Sequence, residues 1–142
     1  MALKAEDIIG LWHMVAWVQH RGPENHLPMG ENPIGRMHYT PDGQMSAHIM
    51  RPDRAVMTTG DFVTGSTEEK GASFQTYMGY CGDYEIVGDQ VFHDVKVASY
   101  PNWTGQKQAR QATINSDGLL VLSAAPRNVN GVIVTATLSW KR

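Results

Sequence analysis

A regular series of turn signals between short apolar runs most constrains this chain. Pro41-Asp42-Gly43, Gly88-Asp89, Ser116-Asp117-Gly118 and Asn130-Gly131 recur through the sequence. Proline presets φ, Asp and Asn accept local hydrogen bonds, and glycine supplies a left-handed position, so each cluster reads as a tight hairpin connection. The runs between them are rich in aromatic and β-branched residues: Leu11–Val18, Ile34–Thr40, Gln44–Met50, Tyr77–Val87, Val91–Ser99, Gln106–Ile114, Leu119–Ser123 and Val132–Trp140. These predict eight strands and an all-β fold.

Taking Pro41–Gly43 as the loop sets the register of the first hairpin. Tyr39 then faces Met45 and Met37 faces Ala47, while His38 faces Ser46 and Arg36 faces His48. One face is apolar and the other polar. An even number of antiparallel strands with no helix to cover them removes its edges most simply by closing into a barrel, with a two-sheet sandwich as the alternative. Ala5–Ile9 predicts one helical turn that Gly10 stops. His20–Pro33 and Arg51–Ser73 read as long loops over a barrel mouth, the second with a short helix from Thr67, which would cap it.

With 142 residues the chain is expected to form one domain spanning 1–142. Its net charge is −2 and its 12 Lys and Arg are scattered, which argues against nucleic acid or an anionic membrane as partner. Met1–Gly10 has no apolar stretch of signal-peptide length and no window approaches a membrane span. Cys81 is the only cysteine, so no internal disulfide forms. A cytoplasmic location is expected. His38 and His48 are the only local histidine pair and no third ligand accompanies them, so no metal site is expected. Phosphate-loop, dinucleotide and Gly-x-Ser-x-Gly fingerprints are absent, so those enzyme classes have no support, and no cofactor is expected.

Several strings carry a resemblance. Gly10-Leu11-Trp12 is a Gly-x-Trp opening, and Tyr39-Thr40-Pro41-Asp42-Gly43-Gln44-Met45, Met50-Arg51-Pro52-Asp53-Arg54, Tyr80-Cys81-Gly82-Asp83-Tyr84, Pro101-Asn102-Trp103-Thr104-Gly105 and Trp140-Lys141-Arg142 follow in order. The chain resembles the lipocalin-like domain family of small bacterial and fungal proteins over nearly its whole length. The resemblance implies an eight-stranded up-and-down barrel with an internal cavity. Barrels of this shape include ligand carriers and enzymes of secondary metabolism such as cyclases and isomerases, so the fold alone does not choose between them.

Strand parity nominates the site. His93 shares a face with Val91, Val95 and Val97 and points inward, either as a core residue satisfied by a hydrogen bond or as an acid/base. Arg110 shares a face with Gln108, Ala112 and Ile114. A guanidinium there must pair with Asp83, Glu85 or Asp94, or bind an anion or polarised carbonyl. Tyr80 and Tyr84 flank Gly82 on one side of their strand, which makes either a ligand notch or a kink that curves the sheet. Tyr39, Met37 and Met45 add a phenol and a deformable apolar lining. Trp103 roofs the cavity or plugs its end. Arg51 and Arg54 either fold over a bound carboxylate or enolate, or form a self-contained network with Asp53. Trp12 reads as a plug with Arg142 or Lys141 stacked on it.

The leading expectation is a cofactor-free isomerase, cyclase or lyase acting on an apolar carbonyl-bearing metabolite. His93 would shuttle a proton while Arg110 and Tyr80 stabilise oxyanion charge. The alternative is a carrier of a small hydrophobic ligand without chemistry, monomeric or homodimeric.

Overall fold

In the computed structural model, which describes residues 2–142, the hairpin of β3 (Ile34–Tyr39) and β4 (Gln44–Met50) has the register the sequence predicts. Tyr39 pairs with Met45, Met37 with Ala47, His38 with Ser46 and Arg36 with His48. Gly43 closes the turn at φ 89°, in the left-handed region that favours glycine. Buried and exposed residues alternate strictly along β3, as expected for a sheet with one face in the core.

The remaining strands are β1 (Gly10–Arg21), β2 (Glu24–His26), β5 (Tyr77–Val87), β6 (Gln90–Ala98), β7 (Lys107–Ile114), β8 (Leu120–Val129) and β9 (Val132–Lys141). They form one antiparallel sheet in the order β2-β1-β3-β4-β5-β6-β7-β8-β9, and pairing of β1 with β9 closes it. Closure leaves eight strands around the barrel. The ninth, β2, lies inside the predicted first loop and pairs with the far end of β1 through Gln19–Arg21.

The base of the barrel is sealed by α1 (Ala5–Ile8) and the C-terminus. Ile8 and Trp12 are fully buried, and the Trp12 indole donates to the Ile8 carbonyl at 2.8 Å. Arg142 stacks over the Trp12 ring at 4.2 Å and donates to the carbonyls of Ile9 and Asp7. Of the two stacking partners expected for Trp12, the structure selects Arg142. The helix α2 (Thr67–Gln75) is capped by Ser66, whose hydroxyl accepts from the Glu69 amide, and not by Thr67, which is its first helical residue. No helix among the described residues is long and apolar enough to cross a membrane.

Register shifts in β1, β6 and β8 change which residues face inward. In β6, Cys81 pairs with Val97 and Gly82 with Val95, so Lys96 is the extra residue. Val97, expected inside with His93, is therefore 64% exposed. Ile114, expected beside Arg110, is also exposed because it lies at the strand end facing the turn to β8. Gly82 sits at the same shift. A Cβ there would collide with the backbone carbonyl of Asp94, so the glycine admits a neighbouring strand and marks a kink, not a ligand notch.

Candidate functional site

Inside the barrel is a cavity of about 390 Å³, a volume suited to one small organic molecule. Its apolar wall includes Met37, Ile49, Leu122 and Leu138, and its polar wall includes Tyr80, His93, Gln108 and Arg110. Trp103, on the short 3-10 helix Pro101–Trp103, stands at the mouth against Tyr80, ring centroids 5.8 Å apart. Parity explains the polar wall. His93 on β6 pairs with Gln108 on β7, and Val91 with Arg110, so imidazole, carboxamide and guanidinium emerge on the same inner face.

His93 is 1% exposed and held between two phenols. The Tyr39 hydroxyl lies 2.7 Å from Nε2 and the Tyr80 hydroxyl 2.6 Å from Nδ1. Burial, helped by the positive charge of Arg110, pushes the imidazole pKa down to about 3. Burial raises both phenols, that of Tyr39 most, with the Tyr80 hydroxyl adding to it and Arg110 pulling back. All three groups are therefore neutral near pH 7.

A neutral imidazole has one N–H and one bare nitrogen, so the two phenols play opposite roles. Tyr39 is fully buried and, among the described residues, His93 is the only hydrogen-bond partner of its hydroxyl. Were Tyr39 to accept from Nε2, its own proton would be stranded in the core at a cost of about 1–3 kcal/mol. Tyr39 therefore donates to Nε2, and Nδ1–H donates to Tyr80. The Tyr80 hydroxyl proton is then free to point into the cavity, whose wall Tyr80 helps to form.

Arg110 forms no ion pair with any described carboxylate. Its NH1 donates to the Ala109 carbonyl and its NH2 to Gln108 Oε1. The partners proposed from sequence are elsewhere: Glu85 pairs with Lys107 at 2.6 Å and Asp94 with Lys96 at 3.1 Å. Two further donors come from residues that sequence reasoning did not nominate. Trp17 and Trp140 line the cavity, and the indole N–H of each is buried without a hydrogen-bond partner. Trp140 was readable, because Val134, Ala136, Leu138 and Trp140 alternate along β9. Trp17 was not, because the register shift after Met14 turns it inward.

Of the other nominated residues, Met37 and Trp103 line the cavity. Tyr39, Tyr84 and Met45 do not; they sit beneath it, toward the sealed base. Tyr84 packs edge-on against Tyr39 at 4.8 Å and donates to the Thr40 carbonyl at 2.7 Å. Arg51 and Arg54 lie outside the wall as well. Arg51 pairs with Asp53 at 3.2 Å, while Arg54 donates to Thr76 Oγ1 and the Ser73 carbonyl and stacks on Tyr77, tying the long loop to α2. Neither long loop supplies a wall residue. His48 bonds through Nδ1 to the Tyr77 hydroxyl. Among the described residues no three His, Cys, Asp or Glu side chains gather as metal ligands would.

An eight-stranded barrel closed around an internal cavity is a lipocalin-like architecture, and the chain belongs to the lipocalin-like domain family, whose model matches residues 9–142. The chain is also similar to the 4'-hydroxy-3'-methoxypropiophenone carrier protein of Aspergillus oryzae. The two are 29% identical over 106 residues, which span 69% of this chain and 96% of the relative.

Proposed function

We propose that the protein is a non-catalytic carrier that holds one small, largely apolar molecule bearing at least one acceptor oxygen. The observation that carries this reading is the Tyr39–His93–Tyr80 arrangement. Both imidazole nitrogens are occupied and the ring has a pKa of about 3, so it offers no base for proton transfer near neutral pH. What remains is a fixed donor aimed at the cavity, an unpaired guanidinium and apolar walls. The similarity to a carrier of an aryl ketone supports the same reading and suggests aryl ketones as the ligand class. A single cysteine fits work in a reducing cytoplasm.

The catalytic reading keeps one specific support. Tyr80 and Arg110 both line the cavity, where they would stabilise an enolate during isomerisation, cyclisation or elimination. Incubating the purified protein with a panel of aryl ketones, 4'-hydroxy-3'-methoxypropiophenone first, separates the two. A carrier gives a one-to-one complex by native mass spectrometry and returns the ketone unchanged. Catalytic turnover of any panel member, or binding of none, overturns the carrier reading.

A further inference from the structure

The charged groups around the cavity all have one sign. Lys107 and Arg110 on β7 and Arg127 on β8 line it, and no aspartate or glutamate does. The other titratable groups in the wall, Tyr80 on β5 and His93 on β6, are held neutral, and the walls from β1, β3, β4 and β9 contribute none. Lys107 is neutralised by Glu85, and Arg127 is exposed on the rim. Among the described residues, Arg110 is thus the one cation in the wall that is partly buried and lacks a counter-charge. The surrounding polar hydrogens reinforce it: the Trp17 and Trp140 indoles have no acceptor, and the Tyr80 hydroxyl proton is free.

A partly buried guanidinium without a counter-charge is costly, and so is a buried donor without an acceptor. One ligand feature relieves both: a negatively charged oxygen. Resting on the carrier reading, we infer that the cavity takes its ligand as an oxyanion, the ionised form of an acidic phenol or enol or of a carboxylic acid, with the charged oxygen on Arg110 and an apolar body among the methionines and leucines. A phenol or enol that arrives protonated gives its proton to bulk water on entry, and no covalent bond changes. The cavity then lowers the ligand's own pKa, because the charged form is bound more tightly than the neutral one.

Three probes with a common aryl methyl ketone body test this: 4-hydroxyacetophenone, which ionises at its phenol, 4-acetylbenzoate, a permanent anion near neutral pH, and 4-methoxyacetophenone, which cannot ionise. Calorimetry at pH 7.5 is expected to show at least one anion-forming probe binding about 10- to 100-fold tighter than the methyl ether, the range of a charge-assisted hydrogen bond. That advantage is expected to vanish in Arg110→Gln, whose circular dichroism spectrum and thermal midpoint, unchanged from the wild type, show the barrel intact. If the hydroxyl probe is favoured, its bound absorption spectrum is that of the phenolate at a pH where the free compound is protonated, and the ligand is of the phenol or enol kind. If only the benzoate is favoured, the ligand is a carboxylic acid. Equal binding of the methyl ether, or an advantage that survives in Arg110→Gln, overturns the inference and leaves the carrier reading standing. Failure of all three probes to bind overturns both.

Discussion

Tyr39 does not itself line the cavity, yet its hydroxyl, 2.7 Å from Nε2 of His93, fixes which side of the imidazole bears the proton. Through the ring it decides whether Tyr80 presents a proton or a lone pair to a ligand. Removing that hydroxyl in Tyr39→Phe leaves Nε2 without a partner in the core and frees the ring to switch tautomer, whereupon Tyr80 donates to Nδ1 instead of to the ligand. The variant is expected to lose about 1–3 kcal/mol of stability in urea. It is also expected to bind an oxygen-bearing ligand about two- to tenfold more weakly. Lost stability with unchanged affinity would show that Tyr39 acts only as core.

His93 makes the fold acid-sensitive in a stated direction. Its pKa is about 3 in the folded protein against an ordinary 6.5, so between those values the unfolded chain binds more protons than the folded one. Stability is therefore full above about pH 7 and falls with pH, at up to about 1.4 kcal/mol per unit, until pH 3. Denaturant midpoints measured from pH 8 to pH 4 in wild type and His93→Gln are expected to diverge. The wild type should lose stability over the window where a side chain that cannot titrate gives a shallower curve. Parallel curves would refute a buried neutral imidazole.

Much of this was legible because period two is a strong signal wherever the ladder is regular. The β3–β4 register, the inward His93 and the inward Arg110 all follow from it. It fails past an extra residue: Val97 emerges after the shift at Lys96, and Trp17 turns inward after the one at Val15. No residue type announces those shifts, except that Gly82 marks the place where one strand presses on another. Distances across the barrel were invisible for a different reason. That Tyr39, 54 residues and three strands from His93, meets the same ring as Tyr80 depends on how the sheet curls, which no local pattern encodes. Arg51 and Arg54 stand nearest to Met50 in sequence, but the chain turns outward there and their charges are spent on Asp53, Ser73 and Thr76.

Arg110 should be worth more to binding than to folding. A partly buried guanidinium with no carboxylate loses hydration without gaining a counter-charge, and replacing such a group by an apolar one of similar volume is often neutral or stabilising. Arg110→Met is therefore expected to keep or raise the thermal midpoint of the ligand-free protein while weakening binding of an oxygen-bearing ligand. A loss of more than about 2 kcal/mol would instead assign Arg110 to the structure, through its bonds to Ala109 and Gln108.

The opposite end of the barrel should respond in the reverse way. Arg142 joins the C-terminus to α1 through two backbone carbonyls and lies on the face of Trp12, whose indole in turn holds Ile8. None of these residues lines the cavity. Arg142→Ala removes two hydrogen bonds and a cation–π contact but leaves its exposed position hydrated. The expected cost is therefore modest, about 1–2 kcal/mol. It should appear as faster amide exchange in α1 and the first turn of β1, with ligand affinity unchanged. Weaker binding at the mouth caused by a change at the base would mean that the plug and the cavity form one mechanical unit. The route for such coupling is Met37, which pairs with Trp12 across β1 and β3 and lines the cavity.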